Sequence, residues 1–325
     1  MNLAQVVCLG EALIDFVSQR SGVDLAGAPG FEKAPGGAPA NVAVALARLG
    51  TSSAFMGKVG DDPFGRFLAD TFAAAGVSTA SMVFDPVVKT GLAFVSLMAD
   101  GERDFLFYRD PSADMMLRPD EIDETLIRDA RAFHFGSITR ISEPSRSATT
   151  HAIAVARAAG LLISYDPNLR MSLWDTAGHA RAEMLAGIPE ADVVKVCEEE
   201  LTFLLGTHDI AAGARALLDM GPSLVAVTRG ASGCAVWNHG AHVDLPGFRV
   251  DTVDTTGAGD GFVAGALHWL LANAEPSGIA ELGEHDLREA FTFANAVGAL
   301  ATTKKGAIPA MPDLATAQSL AATAA

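Results

Sequence analysis

The sequence predicts an α/β protein with a doubly wound, mostly parallel sheet and a small β-sheet lid. Short apolar, β-like runs alternate with amphipathic helical runs over most of the 325 residues. This alternation is typical of parallel sheets covered by helices on both faces. Two stretches, about 13–35 and about 90–110, look extended but break the rhythm, and they predict the lid. We expect a single domain over residues 1–325.

The predicted core elements follow one another along the chain. Val6 to Leu9 is the first strand, and a helix runs from about Ala38 to Leu49. The next helix has Asp62 as its cap and Pro63 in its first turn, and it ends at Gly76. The other predicted elements are strands near 54–59, 132–135, 161–165, 192–196 and 224–228, and helices near 144–159 and 211–220.

The stretch 90–110 contains a predicted hairpin. Leu92 to Met98 and Asp104 to Tyr108 form its strands, and residues 99–102 (Ala-Asp-Gly-Glu) form its turn. An exposed face on such a lid is a common dimer contact, so a homodimer through the lid stays open. The Ala-rich tail after Leu314 is the one segment that we expect to be dispensable.

Composition narrows the classes of partner. The formal net charge of -16 argues against a nucleic-acid or anionic-membrane partner, because both require clustered Lys and Arg. No window approaches the ~20 apolar residues of a membrane span, and the first residues lack the features of a signal peptide. Cys8, Cys197 and Cys234 are too scattered for a disulfide framework or a zinc site. We therefore expect a cytoplasmic protein with small-molecule ligands.

The run 254–262 joins a Gly-rich turn to the start of a helix. Gly257, Ala258 and Gly259 let the backbone approach a ligand closely, and the apolar residues that follow have helical spacing. Free N–H groups and the positive end of the helix dipole converge there, which suits a phosphate. Asp260 either complements the dipole or accepts a proton from a hydroxyl nucleophile, and its spacing alone favours neither role.

Polar residues in the first third of the chain are candidates for binding a sugar. Gly36 and Gly37 allow close backbone approach, while the amide of Asn41 either binds hydroxyls or satisfies local backbone. Asp15 lies in an apolar run, where an unpaired charge is costly, so it pairs within the fold or faces a polar ligand. Arg109, in the predicted lid, is a surface charge or a sugar contact.

Two further candidates follow the strand at 161–165. They lie at the carboxyl edge of the predicted sheet, where open α/β sheets place their sites. The segment containing Asn168 and Arg170 is either a simple turn fixed by Pro167 or a contact to a sugar hydroxyl and a transferring phosphate. His134, in an apolar strand, is expected to be a core residue.

The next two strand ends carry candidates for a nucleotide site. Lys195 is followed by three glutamates, of which Glu200 is the best placed to hold water on a nucleotide's Mg²⁺. Glu198 and Glu199 are expected to lie on a solvated helix face. The turn that follows Thr228 and contains Gly230 and Gly233 is either a hairpin connection or a cradle for phosphates and base.

These residues resemble the ribokinase-like (PfkB) carbohydrate kinases, and the sequence is most similar to the fructokinases among them. The similarity runs from the segment beginning at Gly10 to the one ending at Pro309. Its most specific motifs are KAPGGAPANVA (33–43), GKVGDDPFG (57–65), FYR followed by PSADM (107–115), and YDPNLR (165–170).

The resemblance implies ATP-dependent phosphorylation of a sugar's primary hydroxyl, with Asp260 as the base and Gly257, Ala258 and Gly259 as the anion hole. It implies sugar contacts at Asp15, Gly36, Gly37, Asn41, Phe107, Arg109, Asn168 and Arg170. It implies nucleotide and Mg²⁺ contacts at Lys195, Glu200, Thr228, Gly230, Gly233 and Asn295, besides the anion hole. It also implies potassium, held by Asp254, Thr256, Ala301, Lys304 and Gly306.

One position departs from the pattern of the family. The family often has Asn-x-x-Glu after the strand of Lys195, whereas this chain has Cys197 and keeps Glu200. Fructose is the sugar that the resemblance favours, phosphorylated at its 6-hydroxyl. A 2-keto-3-deoxygluconate kinase, or another sugar or nucleoside kinase of the family, is the alternative. A non-catalytic sugar-binding regulator is the alternative from another class.

Overall fold

The computed structural model of the chain describes residues 4–97 and 103–324. Within these ranges the chain forms thirteen strands and eleven α-helices. The strands are β1 (Val6–Leu9), β2 (Leu13–Ser18), β3 (Phe31–Gly36), β4 (Ser53–Gly60), β5 (Met82–Asp85), β6 (Leu92–Leu97), β7 (Arg103–Tyr108), β8 (Ala132–Gly136), β9 (Leu162–Asp166), β10 (Val193–Cys197), β11 (Leu224–Thr228), β12 (Cys234–Asn238) and β13 (His242–Leu245). The helices are α1 (Ala38–Arg48), α2 (Pro63–Ala74), α3 (Glu124–Arg128), α4 (Ser145–Ala158), α5 (Ala177–Gly187), α6 (Glu198–Leu205), α7 (Ile210–Leu218), α8 (Ala258–Asn273), α9 (Glu284–Leu300), α10 (Ala307–Ala310) and α11 (Leu314–Ala321).

The larger sheet of the described chain has nine strands in the order β13-β12-β11-β10-β9-β8-β1-β4-β5. Its neighbours are parallel except at one edge, where β11, β12 and β13 are antiparallel. One core cluster packs α1, α8 and α9 on one face, and a second packs α4 to α7 on the other. Because both faces are covered, strands such as β1 and β8 are buried along their whole length. The predicted doubly wound, mostly parallel sheet is confirmed.

The smaller sheet has four strands in the order β3-β2-β6-β7. Strands β2 and β6 are parallel, and the two outer pairs are antiparallel. Phe16 on β2 stacks on Phe94 of β6 with ring centroids 5.0 Å apart. The predicted small β-sheet is therefore confirmed. The turn assigned to residues 99–102, with Met98, lies outside the described residues, and movement of this sheet as a lid stays a prediction.

Local signals account for several helix ends. The carboxylate of Asp62 accepts hydrogen bonds from the N–H groups of Phe64 and Gly65, so it caps α2 as predicted. The C-terminal tail differs from expectation. It forms α11, which packs on α9 with Ala317 fully buried, so the tail contributes to the core. Among the described residues, no helix combines the length and apolar character that crossing a bilayer requires.

Candidate active site

The turn before α8 is shaped by a glycine that no other residue can replace without strain. Gly257, the N-cap of α8, has φ +83°, in the left-handed region. A Cβ added there would lie 2.6 Å from the Cβ of Ala307. The first N–H groups of a helix have no acceptors within the helix, so that of Gly259 points to the space in front of α8, while that of Ala258 makes a long contact of 3.3 Å with the carbonyl of Thr255.

Asp260 lies in the first turn of α8 and is only 7% exposed. Its Oδ2 accepts a hydrogen bond of 2.8 Å from Nδ2 of Asn41, and its Oδ1 lies 3.5 Å from Nδ2 of Asn168. Burial raises the pKa of Asp260, while the Asn41 hydrogen bond and the charges of Arg170 and Lys195 oppose that rise. The carboxylate is thus oriented by two amides and surrounded by positive charge.

The three polar residues around Asp260 come from two different elements. Asn41 lies on α1, and its Oδ1 is buried with no hydrogen-bond partner among the described residues, which leaves one acceptor available to a ligand. Asn168 lies after β9 with φ +54°, a left-handed conformation that asparagine tolerates. Arg170 is exposed, and its NH1 donates to the carbonyl of Leu169 at 2.9 Å.

A buried lysine lies beneath the turn before α8. Nζ of Lys195 is 3.1 Å from Oδ2 of Asp166 and 3.9 Å from Oε2 of Glu200. A Cβ on Gly259 would be 3.1 Å from the same Nζ. Burial acts to lower the pKa of Lys195, but the charges of Asp166 and Glu200 outweigh it and raise that pKa. Lys195 therefore keeps a positive charge next to the anion turn.

Asp166 is a site residue for which the sequence analysis predicted no role. It ends β9 and is buried, and burial raises its pKa to about 7 against the opposing charge of Lys195. Its Oδ1 also accepts from the N–H of Asn168 at 3.2 Å. The signal was present, since this carboxylate precedes Pro167 at the end of a predicted strand. What the sequence could not show was its proximity to Lys195 on the neighbouring strand.

Glu200 and Cys197 form the start of α6. Glu200 accepts from the N–H of Leu169 at 2.9 Å and from the N–H of Cys197 at 2.8 Å. The Cys197 sulfur accepts from the N–H of Glu200 at 3.5 Å, so the thiol caps the helix at the position where the family often has Asn. Burial raises the pKa of Cys197 to about 12, so it is a neutral thiol.

Three other polar residues near these strands lie outside the site. Glu198 and Glu199 are exposed, as predicted, and His134 is buried beside Ser164 in the core.

The small sheet contributes the candidates on the sugar side. In the strand register Asp15 lies beside Ala93, and Ala93 lies beside Phe107, so Asp15 and Phe107 share one face. A Cβ on Gly36 would lie 2.4 Å from Oδ2 of Asp15, so Gly36 gives that carboxylate its space. Gly37, with φ +115°, begins α1 directly after the sheet.

Arg109 is not the surface charge that was one of the two predictions for it. Its side chain is buried, and its Nε and NH2 both donate to Oδ2 of Asp114. Charged groups are buried only when paired, and Asp114 provides the pairing. A sugar contact by Arg109 stays a prediction.

The candidates of the nucleotide site gather around the β11–β12 connection. The antiparallel pairing of these strands makes Thr228 to Gly233 a hairpin connection. Gly230 is exposed, and among residues 4–97 and 103–324 an added Cβ there would meet nothing within 4 Å, whereas Gly233 packs on the carbonyl of Leu245. Asn295, on α9, donates to the carbonyl of Pro246 at 3.4 Å, so it lies beside this connection.

Two loops meet next to the anion turn. Oδ1 of Asp254 accepts from the N–H of Thr256 at 3.0 Å and from its hydroxyl at 2.7 Å, and Oδ2 accepts from the N–H of Gly306 at 2.9 Å. Ala301 is buried at the end of α9, and Lys304 is exposed in the loop that follows. The structure thus brings the five predicted cation-loop residues into two adjoining segments.

The sequence matches the model of the pfkB family carbohydrate kinases over residues 3–314. The chain belongs to the pfkB family of carbohydrate kinases. It is 51% identical to Fructokinase-2 of Zea mays over 98% of this chain and 94% of that protein. Fructokinases are the relatives to which this family member is most similar.

Solved structures of the family superpose closely on the chain. A fructokinase from Xylella fastidiosa with bound ATP has a TM-score of 0.91 and 38% identity, covering 99% of both chains. A fructokinase double mutant from Vibrio cholerae O395, with fructose, ADP and potassium ion bound, has a TM-score of 0.87 and 39% identity, covering 98% of both chains. The ribokinase-like fold with its separate four-stranded sheet is therefore that of a pfkB carbohydrate kinase.

Proposed function

We propose that this carbohydrate kinase transfers the γ-phosphoryl group of ATP to the 6-hydroxyl of D-fructose. The observation that carries the proposal is Asp260, a buried carboxylate fixed by Asn41 at the start of α8 and next to a turn suited to an anion. The fructokinase relatives, and the ligands bound in their structures, support fructose as the sugar and ATP as the donor.

Asp260 acts as the general base in this proposal. It accepts the proton of the attacking hydroxyl as the bond from the sugar oxygen to the γ-phosphorus forms and the bond to the ADP oxygen breaks. The N–H groups of the turn Gly257 to Gly259 stabilise the negative charge on the transferring group. The exposed guanidinium of Arg170 adds positive charge from the solvent side of Asp260. The base contributes about 10²–10⁴-fold, and positioning and electrostatics supply most of the rest.

The sugar site is proposed where the small sheet faces α1. Asp15 accepts from sugar hydroxyls, and Oδ1 of Asn41, which has no hydrogen-bond partner in the described part of the chain, accepts from another. Gly36 and Gly37 allow the sugar to approach the backbone. The full proposed set adds Phe107, Arg109, Asn168 and Arg170. Arg109 is held by its ion pair with Asp114, so a direct contact with the sugar requires the guanidinium to bind both partners or to leave Asp114.

The nucleotide site is proposed along the ends of β10 and β11. Lys195 and the turn of Gly257 and Gly259 bind the phosphates. The rest of the nucleotide lies along the β11–β12 connection, which is formed or flanked by Thr228, Gly230, Gly233 and Asn295. No group of three or more His, Cys, Asp or Glu in the described residues forms a metal site. Glu200 and Asp166, the two buried carboxylates around Lys195, would hold water on an Mg²⁺ ion that arrives with the nucleotide, and that ion would offset the negative charge of the phosphates.

Potassium fits the loops joined by Asp254. A carboxylate and backbone carbonyls are the oxygen ligands that a hard cation prefers, and Asp254, Thr256, Ala301, Lys304 and Gly306 present both kinds. Potassium there would add positive charge beside the anion turn. Oδ1 of Asp254 accepts from Thr256 in its own loop and Oδ2 accepts from the N–H of Gly306 in the other, so this carboxylate also has a structural role in joining the two loops.

The proposal also includes a dimer surface and a cellular location. The outer face of the small sheet carries Leu106 and Tyr108, which are 48% and 60% exposed, and it is the surface that a homodimer through the lid would cover. A cytoplasmic location is proposed from the three unpaired cysteines.

The assay that tests this function measures ADP release with fructose, 2-keto-3-deoxygluconate, ribose and aminoimidazole riboside, each with and without potassium. We expect fructose to give the highest kcat/KM. Preference for 2-keto-3-deoxygluconate would favour the alternative kinase, for which exposed Arg170 is the available cation. Binding of a sugar without turnover of any would indicate the non-catalytic regulator.

A further inference from the structure

A buried cluster of charged side chains lies where the small sheet joins the large one. In the described chain four crossings connect the two sheets: β1 to β2, β3 to α1, β5 to β6, and β7 to the segment that follows it. Glu11, on the first crossing, is 2% exposed. Its Oε1 accepts from the N–H of Ala38, just after the second crossing, at 2.9 Å. Arg109 and Asp114 lie on the fourth crossing.

The third crossing packs directly on the same cluster. A Cβ added to Gly91 would lie 3.2 Å from each of Arg109 Cγ, Ser112 Oγ and Asp114 Oδ1. The carbonyl of Gly91 also accepts from the N–H of Ile14 at 3.0 Å, on the strand that begins just after Glu11. All four connections between the sheets therefore meet at this cluster, and a change in its charge acts on the hinge of the small sheet.

The cluster holds one cation and two carboxylates. Arg109 is hydrogen-bonded to Asp114, and its charge also acts on Glu11. Burial raises the pKa of Glu11 to about 7; the N–H of Ala38 and the charge of Arg109 lower it, and the charge of Asp114 raises it. The cluster is neutral when Glu11 is protonated and carries one buried negative charge when Glu11 is ionised.

Glu11 also holds the end of α1 that carries Asn41. Its carboxylate anchors Ala38, the first residue of α1, and its backbone carbonyl packs so closely on Gly37 that a Cβ there would lie 2.2 Å away. Asn41, three residues further along, donates to Asp260. Glu11 is therefore linked to the hinge of the small sheet on one side and to the proposed base on the other.

We propose that Glu11 is a positioning residue that couples closure of the small sheet to proton uptake: it is protonated when the sheet closes over the sugar, and its ionisation favours opening. The proposal rests on the proposed fructose kinase activity. An unbalanced buried charge is costly, and opening relieves that cost because water reaches the cluster. The affinity for sugar therefore falls as pH rises through neutrality, and sugar binding takes up a proton.

The test measures KM for fructose across the neutral pH range. It also measures proton uptake on fructose binding, by calorimetry in buffers of different ionisation enthalpy. In the wild type we expect KM to rise about tenfold with pH, the change produced if opening lowers the pKa of Glu11 by about one unit. Glu11→Gln keeps an oxygen acceptor for Ala38 without a charge. It should hold KM near the low-pH value at every pH and reduce the proton uptake.

Asp114→Asn is the second variant. The charge of Asp114 raises the pKa of Glu11, so its removal should move the midpoint of the KM profile to lower pH. Asp192→Asn is the matched control: burial raises the pKa of Asp192 too, and it accepts from the N–H of Ile163 at 2.8 Å near the amino ends of β9 and β10. That variant should keep the wild-type profile.

Each result bears on a separate claim. Identical KM profiles in the wild type and Glu11→Gln, with fructose turned over by both, overturn the coupling and leave the proposed function standing. If Glu11→Gln does not fold, Asp114→Asn decides, and an unshifted midpoint or one at higher pH overturns the coupling. Absence of fructose turnover by the wild type contradicts the proposed function itself.

Discussion

Nδ2 of Asn41 donates a hydrogen bond of 2.8 Å to Oδ2 of Asp260, across 219 positions of sequence. This contact joins the first turns of α1 and α8, the two helices whose amino ends form the proposed phosphoryl-transfer site. It holds one carboxylate oxygen, and Asn168 lies 3.5 Å from the other. The proposed base is therefore oriented by amides from both sides of the site.

Asn41→Ala should move the acidic limb of the kcat/KM profile to higher pH. The Asn41 hydrogen bond lowers the pKa of Asp260 against the effect of burial, so its loss lets that pKa rise, and the base is then ionised only at higher pH. The free energy of one hydrogen bond to a charged group is equivalent to a pKa change of about one to two units, and the limb should move by that amount. Asn168→Ala, whose contact is longer, should shift the limb less. An unmoved limb in Asn41→Ala would show that the contact does not tune the base.

Gly257→Ala should reduce both stability and turnover. An alanine in the left-handed region costs about 1–2 kcal/mol, and here its Cβ would also collide with Ala307. Gly160→Ala is the matched control: Gly160 also has a positive φ, +73°, but in the described part of the chain an added Cβ would meet nothing within 4 Å, and the residue lies before the amino end of β9. It should lose only the conformational cost and keep kcat. Urea unfolding and steady-state kinetics measure the difference, and equal losses in the two variants would argue against a shaped anion turn.

Lys195→Met should weaken ATP binding and destabilise the fold by about 3–5 kcal/mol, because Asp166 and Glu200 lose their buried partner. The pKa of Asp166 is already raised, so the fold disfavours its ionised form, and without Lys195 that cost grows. The gap in unfolding free energy between wild type and variant should therefore be larger above pH 7 than in mild acid.

The double variant Asp166→Asn/Lys195→Met is the control for this pair. It should recover part of the stability, since the unpaired carboxylate is gone. A gap that does not change with pH would contradict the electrostatic account of Lys195.

Asp254→Asn should abolish stimulation of turnover by potassium and lower the unfolding free energy by about 1.5–3 kcal/mol, because hydrogen bonds to a charged acceptor are lost. Asp251→Asn removes an exposed carboxylate three residues away and should change neither quantity. The measurement compares turnover in potassium and in a larger organic cation. Full potassium stimulation in Asp254→Asn would remove Asp254 from the cation site.

The sequence predicted those parts of the molecule that depend on local signals. The Gly-rich turn at 257–259, the cap at Asp62 and the strands of the small sheet all follow from residues within a few positions of one another. The contact between Asn41 and Asp260 could not be predicted in this way, because it depends on how two distant helices pack.

Arg109 shows the corresponding limit for charged residues. Its sequence neighbours suggested either a surface charge or a sugar contact, and the structure buries it against Asp114. Asp114 is only five positions away, but whether the pair is buried depends on the crossings at Glu11 and Gly91. The role of Asp166 could not be predicted for the same reason, since its partner Lys195 lies on the adjacent strand.

The central claim is that Asp260 is the base of the transfer, and Asp260→Asn tests it most directly. Asparagine keeps the size of the side chain but cannot accept the proton, so turnover with fructose and ATP should fall by about 10²–10⁴-fold or more. Calorimetric titration should show that fructose and ATP still bind. Turnover close to that of the wild type in this variant would contradict the assignment.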